Sequence, residues 1–599
     1  MLVGGLEIPR YLREGITPNS RGASMYTYVY GADTETLHGK PMTLQFYSED
    51  TDCNEIFWVN EHNALDTTLD WCATRKRDVV HVVYCHNLQF DLPEFLYGAH
   101  EFLIEPGGAF DFEVGEWRLR GVYGAPTFCR MTSKRRRILF VDSLLWFQGT
   151  LAKAAELFCP DLPKLKMPKG LGEKQFPMRD DKFVEYAMRD AEVAYHIGRS
   201  VQAIHDEFSI KQAVSLADMS AKIFRHHFLN YTIRQPNDDV IWAALQSYHG
   251  GKNNVLPNAF PRWHTGVSVL DISSAYPYSM SLLPAFDNQK GYRRITFCKG
   301  KRFPAAVPEW GIYRISGTTS DCKWPVIFNH SFNPIRGRFS GIWVHGCEVN
   351  EALASGELKL TKIYGYMYDR DKDKKEPAFK KYVDEFYTRK QNEKDKVLRH
   401  MYKIILNSVY GKFIQTRKSM RQEYYDIDPA DLRKFKQSEY LELRAGGMFH
   451  PFIASSITAH TRAYIHRIEH KYKAIHTATD GIFTTSKTRP GIRGYPRRGL
   501  GSLECEAAGD LVLMRNKLYI LYSKNGKLKS QYFKGKRIEK FAKHGFQGTV
   551  YDLERLIAHN RRKYTVNKPN RLRQSLQRGL QVNEFVKRDM VLRVAPVKA

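Results

Sequence analysis

The stretch HMYKIILNSVYGKF, residues 400–413, decides how the rest of this 599-residue chain is read. At helical period Lys403, Asn407 and Tyr410 stand at i, i+4 and i+7 and share one face. Lys396 and Arg399 extend that face backwards, and Gly411 stands where the helix is expected to end. A cation, an amide and a phenol on one stripe suit a triphosphate followed by a base. Lysine meets phosphate charge, tyrosine offers a stacking surface, and asparagine fixes the tyrosine or the sugar. By itself the stripe also fits a solvated basic face with a half-buried tyrosine, so its meaning rests on the partners the chain supplies.

Composition narrows the partners. Lys and Arg number 92 against 64 Asp and Glu, a net charge of +28 spread along the chain, which favours a polyanion such as nucleic acid over a membrane surface. A hydrophobic content of 43% is ample for several buried cores, and the length suits about three to five domains. No apolar run approaches a membrane span, and residues 1–10 lack a signal-peptide core. The 9 cysteines are scattered, odd in number and without a C-x-x-C pair, which predicts reduced, mostly buried thiols.

Carboxylates recur at strand and helix positions. Residues 26–30 read as a strand leading to Asp33 and Glu35, which period two puts on one face. Two acids so placed repel unless a cation joins them, as hard metals do. An apolar strand in 81–95 runs into Asn87-Leu88-Gln89-Phe90-Asp91, and the helical stretch 181–198 aligns Tyr186 with Asp190 at i, i+4. Four acids and a tyrosine are what a two-metal exonuclease needs: the acids hold two ions about 3.5–4 Å apart and the phenol orients the attacking water. Farther on, VSVLDISSAYPYSM (267–280) is a strand ending at Asp271, and AIHTATDGIFTT (474–485) is strand, turn, strand around Asp480.

These motifs, in this order, resemble the family B DNA polymerases. Lys-x-x-x-Asn-Ser-x-Tyr-Gly matches the family's fingers helix, and D-x-E, N-x-x-F-D and Y-x-x-x-D match its three proofreading motifs. The resemblance implies exonuclease metal ligands Asp33, Glu35, Asp91 and Asp190, with Tyr186 placing the water. It implies that His86, Asn87, Phe90, Ser143 and Leu144 grip a frayed single strand, and that a lysine near the scissile phosphate is Lys164, Lys166 or Lys169, of which Lys164 fits best. Tyr248-His249-Gly250-Gly251 is similar to the Tyr-x-Gly-Gly hinge that binds template through Tyr248, Gly250 and Gly251. Asp271-Ile272-Ser273-Ser274-Ala275-Tyr276-Pro277 resembles the motif holding the first polymerase carboxylate, with Ala275 in place of leucine. Asp271 and Asp480 are then the polymerase metal ligands, Ile272 lends its carbonyl, and Tyr276 excludes a 2′-hydroxyl. The triphosphate falls to Lys403 and Lys390, with Asn407 and Tyr410 completing the nucleotide site. Lys517-Leu518-Tyr519 resembles the Lys-x-Tyr primer-terminus motif, and Arg462 is expected on DNA. The family's Asp-Thr-Asp-Ser is here Ala478-Thr479-Asp480-Gly481; the missing first aspartate is expected to weaken metal tuning without abolishing chemistry.

The implied fold is a multidomain α/β and α+β chain: an RNase H-like 3′→5′ exonuclease domain followed by a right-hand polymerase with two insertions. The expected boundaries are exonuclease 1–211, palm 212–282, first insertion 283–380, fingers 381–415, second insertion 416–449, palm 450–550 and thumb 551–599. Compactness and the two insertions resemble the protein-primed group of small tailed phages, adenoviruses and linear plasmids. That implies a virus- or plasmid-encoded monomer in the cytoplasm of a bacterial host, using Mg²⁺, or Mn²⁺ in its place, two ions per active site. Its partners would be primer-template DNA, dNTPs and a terminal protein contacted by the first insertion. The second insertion would close a ring round the DNA for strand displacement. The alternatives are a conventionally primed or primer-independent family B polymerase, and a nuclease or DNA-binding protein with a degenerate polymerase site.

Overall fold

The computed structural model describes residues 2–3, 6–7, 15–18, 26–104, 109–124, 126–147, 149–168, 180–256, 262–286, 291–296, 303, 305–368, 376–421, 440–487, 489–544, 546–569 and 585–592. Its N-terminal part is built on an eight-stranded sheet in the order Cys53–Trp58, Lys40–Ser48, Thr27–Leu37, Val80–Cys85, Arg136–Asp142, Phe128–Ser133, Trp117–Val122, Ala109–Val114. Val80–Cys85 is parallel to both its neighbours, Thr27–Leu37 and Arg136–Asp142, and is buried from His81 to Cys85, mostly apolar as befits a strand covered on both faces. The 27-residue helix Asp181–Glu207 covers one face of this sheet. It sits so close at Gly31 that a Cβ there would lie 1.9 Å from the Ala191 carbonyl, so the glycine two residues before Asp33 is what lets helix and strand meet.

The C-terminal part centres on a second eight-stranded sheet, ordered Lys252–Val255, His476–Thr479, Gly481–Thr484, Arg262–Ile272, Leu503–Arg515, Leu518–Ser523, Arg537–Lys543, Leu528–Lys529. Behind it the helix Pro451–Tyr472 is buried along most of its length, starting on a proline and ending at Lys473 with φ of 53°. Two antiparallel helices, Lys380–Asn392 and Lys396–Ser408, form the fingers hairpin. They bury Tyr382, Val383 and Phe386 against Met401, Tyr402, Ile405 and Leu406, and Asp395 caps the second by accepting from the Leu398 N–H.

Between them the first insertion folds as a four-stranded antiparallel sheet, Tyr292–Thr296, Leu358–Tyr368, Gly311–Thr319, Gly337–His345, with the helix Gly346–Ala354. Residues 324–328 look like a further strand in sequence but are not one. The N–H groups of Val326 and Ile327 bond the buried Glu357 carboxylate instead of a neighbouring strand. The stretch 209–230, helical by pattern, is interrupted: the helix begins only at Leu216, after Ser215 caps it. In the second insertion Thr416–Arg421 pairs with Tyr440–Ala445, and the N-terminal strand Leu6–Glu7 adds in parallel to the latter. Residues 422–439 lie outside the described residues, as do 570–584 and 593–599 of the expected thumb. What is described of that region is the helix Val550–Ala558 and the hairpin Lys563–Pro569 with Phe585–Val591. No helix among the described residues is long and apolar enough to cross a membrane.

Candidate active sites

The first carboxylate cluster forms where the strand Thr27–Leu37, the helix Leu88–Phe95 and the helix Asp181–Glu207 converge. Asp33, Asp91, Asp190 and Glu35 act on one another's charge, and burial pushes all four upward, Glu35 to about 7. Thr34 Oγ1 donates to Asp91 Oδ1 at 2.8 Å, and Lys164 binds Asp190 while its ammonium stands 5.8 Å from the Tyr186 ring centre. Asp190 Oδ1 is buried with no hydrogen-bond partner. Among the described residues no three His, Cys, Asp or Glu side chains close into a ready-made cage. A divalent cation nonetheless suits the cluster, since an orphaned buried carboxylate oxygen and mutually raised acids are what a cation relieves.

Beside this cluster the single-strand candidates meet at the ends of two parallel strands. Asp142 accepts from the N–H groups of Asn87 and Leu144, both at 2.9 Å, and His86 Nδ1 is 2.9 Å from Ser143 Oγ. Asn87 is exposed in the left-handed region at φ of 81°, and Phe90 is half-buried.

The second cluster lies on the palm sheet. Asp271 ends its strand directly opposite Gly481, next to Asp480 in the turn, and the Ile272 N–H donates to the Asp480 carbonyl at 3.0 Å. Glycine at 481 matters: a Cβ there would stand 2.6 Å from Asp271 Oδ1, so the serine usual in the family would crowd the carboxylate. Ala478, Gly481 and Asp271 occupy one row across three strands, with Asn253 at one end and Glu504 at the other. Ala478 thus shares the face of Asp271, where it packs on an apolar cluster with Val267, Val269 and Phe483. Thr479, at φ of 68°, accepts from Lys517 Nζ at 2.9 Å. Tyr519 packs on Phe483, ring centres 4.8 Å apart.

Fingers and hinge close over this face. Tyr276 and Tyr410 stack at 4.3 Å and 23°, and Tyr248 lies near both. A Cβ at Gly251 would meet Thr479 at 2.4 Å and the Tyr276 hydroxyl at 2.6 Å, whereas Gly250 is open. Position 251 therefore has to be glycine for this stretch to lie against both Thr479 and Tyr276. Lys390 and Lys403 face each other, and burial together with the Lys403 charge holds the Lys390 ammonium below its ordinary value. Asn407 is spent within its own helix, donating to the Lys403 carbonyl at 2.6 Å. The α-helix ends at Ser408, so Tyr410 sits on a following 3₁₀ turn, Tyr410–Ile414, that contains Gly411.

One expectation is corrected. Arg462 does not reach DNA: it is fully buried, paired with Glu348 at 2.8 Å, and donates to the carbonyls of His249 and Gly250. It props the hinge from behind. The sequence reading also missed three charged residues beside Asp271. Glu504 stands directly opposite it, and a bulge between the pairs Val269–Ala507 and Leu270–Cys505 swings Glu506 towards it, where Glu506 binds Lys540. Glu504-Cys505-Glu506 repeats the strand spacing that marked Asp33 and Glu35, and that was the available signal.

Burial, then Asp480 and Glu506, push Asp271 up to about 8. The folded chain therefore keeps a proton that the unfolded chain gives up in the ordinary aspartate range. The stability this lends is full below about pH 4 and is lost as pH rises through the folded value. In EDTA, Asp271→Asn is expected to raise Tm, and by more at pH 8 than at pH 5. Thermal melts at both pH values check this; a gain largest at pH 5 would contradict it.

The fold is a right-hand polymerase fold joined to an exonuclease-type domain, each part with its own carboxylate cluster. Residues 179–445 match the family model "DNA polymerase type B, organellar and viral", so the family B resemblance is borne out. The chain is 26% identical over 249 residues, 38% of its length, to a DNA polymerase of Kluyveromyces lactis. It is also 26% identical over 267 residues, 42% of its length, to a DNA polymerase of Acidianus bottle-shaped virus. It spans only 23% and 35% of the length of these relatives. The fold is that of phi29 DNA polymerase: the orthorhombic crystal form aligns with a TM-score of 0.67 at 16% identity, covering 95% of this chain and 100% of that one. The phi29 complex with primer-template DNA and incoming nucleotides aligns at 0.63 and 16% identity, covering 96% and 100%.

Proposed function

We propose that the chain is a DNA-directed DNA polymerase with a 3′→5′ proofreading exonuclease. The observation that carries the reading is Asp271 set beside Asp480 and roofed by the Tyr276–Tyr410 stack. Asp271, the Ile272 carbonyl and Asp480 would hold divalent cations, Mg²⁺ or Mn²⁺, as would Asp33, Glu35, Asp91 and Asp190. When bound, these supply an acidified hydroxyl or water and neutralise the leaving group. The chain's own part is positioning. Lys403 and Lys390 receive the triphosphate, Tyr276 fills the space under the sugar, and Tyr410 meets the base. Lys517 and Tyr519 fix the primer end, and the Tyr248–Gly251 hinge guides template. In the other site Tyr186 orients water while Lys164 restrains Asp190. The primer-template and nucleotides bound in the phi29 complex are the ligands this reading expects here.

Tyr276→Val is expected to admit ribonucleotides. The ratio of kcat/KM for dNTP and rNTP on one template should fall by about 10²-fold, the discrimination a shaped pocket gives against a misfitting group. An unchanged ratio would make Tyr276 a packing residue.

The finer reading is protein priming with strand displacement by a virus- or plasmid-encoded enzyme. The two insertions, at 283–380 and 416–449, support it. Extension on a nicked circle, with and without a candidate terminal protein, separates it from conventional priming.

A further inference from the structure

The first insertion's sheet turns one face onto its own helix; the other meets the main core through Ile312, Trp343 and Tyr366 and carries exposed cations beyond them. Tyr313, Ile315, Val344 and Ile363 enter its core against Val349 and Ala352. The outward set is different in chemistry. Trp343, Arg314 and Tyr364 lie directly opposite one another on three neighbouring strands, and Tyr366 opposes Arg294 on the fourth. Arg294, Arg314 and Lys362 are exposed, and the three rings are half-buried, Trp343 and Tyr366 against the main core.

The rings are pre-stacked and flanked by cations. Trp343 stacks on Tyr366 at 5.9 Å and 16° and meets Tyr364 edge-on at 5.9 Å. Arg314 Nη1 donates to the Tyr364 hydroxyl at 3.0 Å. The Arg294 guanidinium and Lys362 ammonium stand 5.7 and 5.8 Å from the Tyr364 ring centre. Among the described residues none of these three cations is ion-paired; the insertion's Arg336–Asp321 pair precedes the strand that carries Trp343. Among the described residues Asp239 reaches this face, at Tyr366.

Half-buried rings at the edge of a sheet face, rimmed by cations that carry no ion pair among the described residues, suit bases joined by phosphates. Stacking needs no particular base, and the cations track the backbone. An acidic peptide would use the charges but leave the rings without partners. The helix Asp238–Ser247 then leads from Asp239 to Tyr248 at its end, nine residues or about 14 Å, passing the exposed Trp242.

We propose that this outer face is a stacking platform for a single DNA strand, holding unpaired template ahead of the Tyr248 hinge. Only the source of the strand rests on the polymerase reading. The full chain is irradiated in EDTA with a single-stranded oligonucleotide carrying 5-iododeoxyuridine, and the cross-linked peptides are mapped. Adducts are expected on Trp343 or Tyr364. Trp343→Ala with Tyr364→Ala should remove them and weaken oligonucleotide binding about tenfold, while Tyr364→Phe with Trp343 intact keeps both. Arg314→Gln, which leaves the rings in place, should flatten the salt dependence of binding. No adduct within 311–368 would overturn the platform, as it would if the face docks a protein; so would adducts that survive the double substitution. Adducts with the free oligonucleotide but none with a template overhang would overturn the template route. Nucleotide incorporation is assayed separately, so its absence counts against the polymerase reading and not the platform.

Discussion

Asp271→Ala and Asp480→Ala are each expected to lower nucleotide incorporation by about 10³-fold or more, the scale lost when a group central to transition-state charge is removed. Both acids belong to one small space: the Ile272 N–H bonds the Asp480 carbonyl, and Gly481 lets the Asp271 carboxylate lie flat against the turn. Loss of either leaves the other beside Glu506 and Lys540, which already bind each other and cannot replace it. Steady-state primer extension checks this, with degradation of single-stranded DNA as the control that the chain is folded. Near-normal incorporation by either variant would remove both residues from the reaction.

The second large effect is the converse. Asp33→Ala with Glu35→Ala should abolish 3′→5′ degradation of single strands and leave extension working. These acids stand on one strand, across from Asp91 and Asp190, in a sheet separate from the palm. Removing two like charges from a cluster in which every member is pushed upward also relieves repulsion, so the variant should fold at least as well as the parent. Degradation of a 3′-labelled strand is the measurement; persistence at the parent's rate would put the nuclease site elsewhere.

What the sequence made legible follows from locality. Asp33 with Glu35, Tyr186 with Asp190, and Lys403 with Asn407 are set by strand or helix period, and the fold keeps each pair on one element. Residues whose role depends on distant packing were not legible. Arg462 looks like a DNA contact because it is basic and near a motif, yet Glu348, 114 residues away, draws it into the core. The i, i+2 spacing of Glu504 and Glu506 was visible, but that their strand lies beside the one carrying Asp271 depends on the sheet order. Residues 324–328 have strand composition, but a single buried carboxylate, Glu357, takes the N–H groups of Val326 and Ile327.

Ala478 shows how the two levels meet. From sequence it is a missing charge. In the fold it lies on the face of Asp271, two strands away, yet packed on Val267, Val269 and Phe483. The same-face position leaves its electrostatic reading open to metal titration, while the apolar contacts explain why a small side chain suits the site.

The central claim, two cooperating sites on one chain, is tested most directly by idling turnover. The wild-type chain is incubated with a primer-template and the single next dNTP labelled on its α-phosphate, and release of labelled dNMP is followed. Repeated insertion at Asp271 and Asp480 followed by excision at the Asp33 cluster must convert dNTP to dNMP. The account predicts steady dNMP release by the parent, and its loss both in Asp271→Ala, where nothing is inserted, and in Asp33→Ala/Glu35→Ala, where nothing is removed. Undiminished dNMP release by either variant would contradict it.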